Sequence, residues 1–163
     1  MQALTLQSSA RNLTASTRGT AQRETPPRDG TFTNGEQSTA RPSKISEVIL
    51  AGNNPQADLT FAMLAHLSHQ HKSAEHQGRW LTWICPMLVS REALAQFNFD
   101  VMGLRILHPK TEAQIPQLMQ DALNAGTSHT VVAHCQGISS KLFPWLENAA
   151  YVGDSAGLII RPQ

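Results

Sequence analysis

Two adjacent residues, His134 and Cys135, are the first in this sequence with the types needed for covalent chemistry. A thiol next to an imidazole is what a cysteine nucleophile requires, because the ring draws the thiol toward its thiolate. Here the pair ends the apolar run TVVAH, which reads as a strand. Neighbours on a strand point to opposite faces, so one is expected in the core and the other at the strand end. His66, His69, His71 and His76 lie close in sequence and raise metal binding as a second chemistry. On a helix His66 and His69 share a face at i, i+3, while His71 is rotated away. No HExxH and no CxxC accompanies them, so they read as a polar helix face rather than a ligand set.

Other machinery is absent from the sequence. The stretch AGNNPQAD after the first strand lacks the second Gly, the Lys and the Ser/Thr of a phosphate loop. Neither GxGxxG nor a GxSxG elbow occurs. The carboxylates of the region after residue 44 are sparse, and no two obviously converge as an acid/base pair. An α/β enzyme or a degenerate nucleotide-binding protein with an unrecognised pocket stands as the alternative reading. No catalytic residue, metal or cofactor is assigned.

What remains is a surface. The segment QGRWLTWICPMLVSREAL places Arg79, Trp80, Trp83, Met87 and Leu88 within ten residues. Trp, Arg and Met are enriched at protein interfaces. Alternation sets Trp80, Thr82 and Ile84 on one face of a strand and Leu81, Trp83 and Cys85 on the other.

The elements that must position these residues follow from periodicity. Strands are expected at 45–50, 79–85, 105–107, 130–134 and 157–161. Helices are expected from Ala57 to about His71, over 91–96 behind an N-cap at Ser90, over 115–123, and from Ser139 or Ser140 to Ala150. Ile115, Leu118, Met119, Ala122 and Leu123 recur with the helical period, with Pro116 in the first turn and Gly126 at the C′ position. Strands alternating with helices predict an α/β fold: three layers, a mainly parallel sheet flanked by helices.

The chain has 163 residues and a formal net charge of +1, which excludes recruitment by bulk charge to duplex nucleic acid or an anionic membrane. Residues 1–44 are rich in Ser, Thr, Arg, Gln, Gly and Pro and short of large apolar side chains. They are expected to form a disordered arm ahead of one domain over 45–163. With two cysteines, no apolar leader and no membrane-length run, the protein is expected in the cytoplasm with reduced thiols.

Three blocks then carry a resemblance. ISEVIL at 45–50, RWLTWICP followed by LVSRE at 79–92, and LENAAYVGDSAGLIIRP at 146–162 resemble the SulA family of SOS-induced cell division inhibitors. The similarity spans about residues 45–162. It implies a RecA-like core without a phosphate loop, and binding to FtsZ on the subunit face that carries its catalytic loop. Polymerisation and GTPase activity are thereby blocked and septation halts. It also implies pairing as a homodimer and degradation by the Lon protease, for which the N-terminal arm is the expected handle. Carried over by position, the family's contact surface falls on Arg79, Ile84 and Arg105. A family Trp just after the SRE is Ala93 here, so Leu94, Phe97 or Met87 is expected to supply apolar contact instead, and Met87, Leu88 and Ala93 join the expected partner-binding set.

Overall fold

The structure, a computed structural model, describes residues 41–50, 55–76 and 78–162. The elements run β1 (Ile45–Leu50), α1 (Pro55–Ser68), β2 (Trp80–Ile84), α2 (Arg91–Gln96), β3 (Leu104–Leu107), α3 (Ile115–Asn124), β4 (Ser128–His134), α4 (Phe143–Val152) and β5 (Ala156–Pro162). The strands form one parallel sheet in the order β1-β5-β4-β2-β3.

The central strands show why the sheet needs cover on both sides. Val131 and Ala133 of β4 face a core built with Ile115, Met119 and Leu123 of α3 and Leu146, Ala149 and Ala150 of α4. Val132 between them faces the opposite core, with Leu64 and Ala65 of α1 and the partly buried Leu94 of α2. A strand buried on both faces must be apolar at every position, as VVA is. The chain steps outward through β1, β2 and β3 with α1 and α2 on one face. It returns through β4 and β5 with α3 and α4 on the other, as right-handed crossovers require. The direction reverses between β2 and β4, whose C-terminal ends carry Ile84-Cys85 and His134-Cys135.

Local signals act as the sequence implies. The Ser90 hydroxyl accepts the Ala93 N–H at 3.1 Å and caps α2. Pro116 occupies the first turn of α3, and Gly126 follows that helix in the left-handed region at φ 65°. After α4 the left-handed residue is Asp154 (φ 49°), not Gly153. Gly153 answers a different need: a Cβ there would lie 1.8 Å from the Leu123 carbonyl oxygen, so α3 and α4 approach closely only over a bare backbone.

Two boundaries differ from the expected ones. α1 ends at Ser68 and a 3-10 turn, His69–Lys72, follows. Ser68 is committed elsewhere, since its Oγ donates to the Ala65 carbonyl at 2.6 Å and accepts the Asp100 N–H at 2.8 Å. Ahead of β1, Pro42 accepts from the Tyr151 hydroxyl and Lys44 N–H donates to Glu147 at 3.0 Å. Residues 42–44 are thus tied to α4. The rest of the expected arm, residues 1–40, lies outside the described residues.

Candidate partner-binding surface

Arg79 enters β2 at the N-terminal end of the sheet and works as a latch. Its Nη2 lies 2.8 Å from the Ser128 carbonyl oxygen, 2.9 Å from that of Gly153 and 2.6 Å from that of Asp154. Its Nη1 is 3.7 Å from the Asp154 carboxylate, and the side chain is 22% exposed. One guanidinium therefore ties the start of β2 to the start of β4 and to the turn between α4 and β5. Ser155 joins this knot, its hydroxyl donating to the Ser128 carbonyl at 2.7 Å. Lys44, hydrogen-bonded to Asp154, holds that carboxyl below the usual range, with Arg79 adding to the effect.

Beside the latch, His76 stacks on His129 with ring centroids 4.9 Å apart and planes 22° from parallel. His129 is 3% exposed, and burial, with His76 and Arg79 adding, lowers it to about 4. The His76 Nδ1, His129 Nε2 and Arg79 Nε atoms are buried without a hydrogen-bond partner. A cavity of about 220 Å³ opens next to them, lined in part by Lys44, Glu75 and Asp154. Acid and base alternate around it, so it offers no field of one sign.

The other expected contact residues are dispersed. Ile84 has no exposed surface and packs in the α3/α4 core, so in this conformation it offers a partner no surface and supports the fold. Met87 and Leu88 follow β2 and are 61% and 89% exposed. Ala93 is partly buried in the first turn of α2. Arg105 is exposed on β3, the edge strand, with its guanidinium 3.9 Å above the ring of Trp80. Five residues of β2 separate Arg79 from the loop that carries Met87, about 16 Å of strand. The Met87-Leu88-Ala93 group and Arg79 therefore occupy opposite ends of the sheet, with Arg105 at its edge between them.

At the C-terminal strand ends, His134 and Cys135 do point apart. The Trp83 indole N–H donates to His134 Nδ1 at 2.8 Å, which leaves the ring's proton on Nε2. Cys135 lies in the opposite core. Burial holds His134 at about 4 and pushes the thiols of Cys85 and Cys135 up. A raised thiol with no facing base is not an activated nucleophile. His69 reaches the Asn98 carbonyl at 2.8 Å, and His71 the Ser68 carbonyl at 2.9 Å. His76, by contrast, belongs to the buried stack and not to a surface face. Among the described residues no three His, Cys, Asp or Glu side chains group as metal ligands.

Sequence reading missed the Arg79 latch, the His76–His129 stack and the Trp80–Arg105 stack. Each joins residues far apart in sequence, so only the order of the strands and the packing of the segments that lead into them would have found them. The Trp83 bond to His134 is of the same kind, although alternation did place Trp83 on the face opposite Trp80.

Comparison with known proteins adds independent ground. No family model matches the chain. The cell division inhibitor SulA of Pseudomonas aeruginosa is 33% identical over 125 residues, covering 76% of this chain and 75% of that protein. The crystal structure of SulA from Pseudomonas aeruginosa superposes with a TM-score of 0.65 at 31% identity, covering 75% of this chain and all of that one. With that identity carried over three quarters of both sequences and the same α/β architecture, the chain belongs to the SulA family of cell division inhibitors.

Proposed function

We propose that this protein is an SOS-response inhibitor of cell division that binds FtsZ, blocks its polymerisation and GTPase activity, and so halts septum formation. The observation that carries the reading is the 33% identity, across three quarters of both sequences, with a cell division inhibitor. The protein acts in the cytoplasm as a stoichiometric binding protein rather than an enzyme. It pairs as a homodimer and is removed by the Lon protease. The exposed Met87 and Leu88, on the loop after β2, and Arg105, on the edge strand β3, support a contact role, being apolar or cationic groups at the rim of the sheet. Ala93 belongs to the same rim, while Arg79 and Ile84 serve the contact by holding β2 in place.

The test is sedimentation of GTP-assembled FtsZ with increasing amounts of this protein, with GTP hydrolysis followed in parallel. Sequestration predicts that polymer and hydrolysis both fall toward zero near equimolar inhibitor. Unchanged pellets at several-fold excess of folded protein would show that the scaffold is kept and the partner is not FtsZ.

A further inference from the structure

The Trp80–Arg105 stack holds an exposed arginine that no carboxylate or carbonyl of the described residues engages. Arg79 is spent on carbonyl oxygens and Arg161 lies 3.5 Å from Glu47. Among the described residues Arg105 makes no ion pair and no hydrogen bond. Its Cζ nevertheless sits 3.9 Å above the centre of the Trp80 ring, well inside the distance at which a cation is held by an aromatic face.

Register explains how the two meet. Thr82 of β2 is opposite Arg105 of β3, so Trp80, two residues earlier on the same face, lies on the diagonal from it. Trp80 is itself fixed, its backbone N–H donating to the Thr127 carbonyl at 3.0 Å. Stacking covers one face of the guanidinium and restrains a long side chain that would otherwise be free on an exposed edge strand. The N–H donors lie in the plane of the guanidinium and stay available at its rim. A planar fork held this way matches a carboxylate approached edge-on through two parallel N–H···O bonds, with its ordering entropy already met.

We propose that Trp80 is a positioning residue that presents Arg105 as a preformed receptor for a carboxylate side chain on the FtsZ surface. This rests on FtsZ being the partner and adds the chemistry recognised and the residue that sets it. The recognition depends on the fork and the stack, so charge alone does not replace it.

The test is the affinity for FtsZ of wild type, Arg105→Ala, Arg105→Lys, Trp80→Leu, Trp80→Tyr and the Trp80→Leu/Arg105→Ala double variant, each checked by thermal unfolding. Arg105→Ala is expected to weaken binding about tenfold, and Arg105→Lys to recover only part of that. Trp80→Leu should cost roughly 2–5-fold, the worth of an exposed cation–π contact, while Trp80→Tyr keeps most of the affinity. In the double variant Trp80→Leu should add no further loss, because a positioning residue has nothing left to position. Independent, multiplying losses would make Trp80 a direct contact and overturn the inference. So would full affinity in Arg105→Ala or in Arg105→Lys; these two variants change only an exposed side chain and decide the matter even if Trp80→Leu unfolds. Wild-type protein that fails to bind FtsZ would instead overturn the functional reading, and this inference with it.

Discussion

Arg79→Ala should unfold the protein more than it disturbs a surface. The Nη2 atom has two hydrogens and three carbonyl oxygens within 2.9 Å, so it makes two good charge-assisted bonds at any moment and shares the third. Hydrogen bonds to a charged group contribute about 1.5–3 kcal/mol each, net of those lost to water. The side chain is 22% exposed, so water re-solvates part of what the truncation uncovers. The two effects together give a loss of about 2–4 kcal/mol, a large share of the ~5–15 kcal/mol that usually stabilises a domain. For a folded region of this length, that lowers the melting temperature by roughly 10 °C. Urea and thermal unfolding of wild type, Arg79→Ala and Arg79→Lys would measure it, with lysine expected to restore only part because a single ammonium cannot span the same carbonyls. A loss below about 0.5 kcal/mol for Arg79→Ala, in the range of an ordinary surface change, would refute the latch.

Acid should loosen the fold well above the range where carboxylates titrate. His129 and His134 are held near 4 and are neutral in the folded protein. Unfolded, they take up protons below about 6.5, so stability is complete above that pH and falls as pH drops toward 4, by about 2 kcal/mol per histidine at pH 5. Unfolding between pH 5 and 7.5 would show it, and His134→Gln, which keeps an acceptor for the Trp83 N–H, should flatten part of the slope. Gly153→Ala should cost about 1–3 kcal/mol, because its Cβ meets a backbone oxygen rather than a flexible side chain; an unchanged unfolding midpoint would show that α3 and α4 can part without cost.

Legibility tracked the range of the interaction. Ile115, Met119 and Leu123 announce α3 by their spacing, and Ser90 announces α2 by its hydroxyl, because both effects act within one or two turns. The unbroken apolar runs of β4 and β5 announce a parallel sheet because burial on two faces leaves no polar position. Strand order lies beyond such signals. Nothing near residue 79 indicates that it will meet the Gly153 carbonyl, 74 positions away. Nor does anything near Trp80 indicate that β3, rather than another strand, will lie beside β2. Ile84 is instructive in the opposite way: the resemblance pointed to its position as a contact, and alternation alone placed it on the face that became the α3/α4 core.

That burial separates two ways in which a variant of this protein can fail. Ile84 has no exposed surface, and Ile84→Ala should cost about 2–5 kcal/mol through the cavity it leaves. Met87 and Leu88 are 61% and 89% exposed, and Met87→Asp or Leu88→Asp should move stability by no more than about 0.5 kcal/mol. Loss of FtsZ inhibition in Ile84→Ala or Arg79→Ala therefore carries no information about contact unless the melting curve is intact at the assay temperature. Loss in Leu88→Asp does carry it, because the fold has no stake in that side chain. Unfolding and FtsZ sedimentation measured on the same samples resolve the two. If Leu88→Asp and Met87→Asp keep their melting temperature and lose inhibition, the partner sits on the C-terminal ends of the strands. If both inhibit normally while only the Ile84 and Arg79 variants fail, inhibition follows stability alone, and the loop after β2 is not where the partner binds.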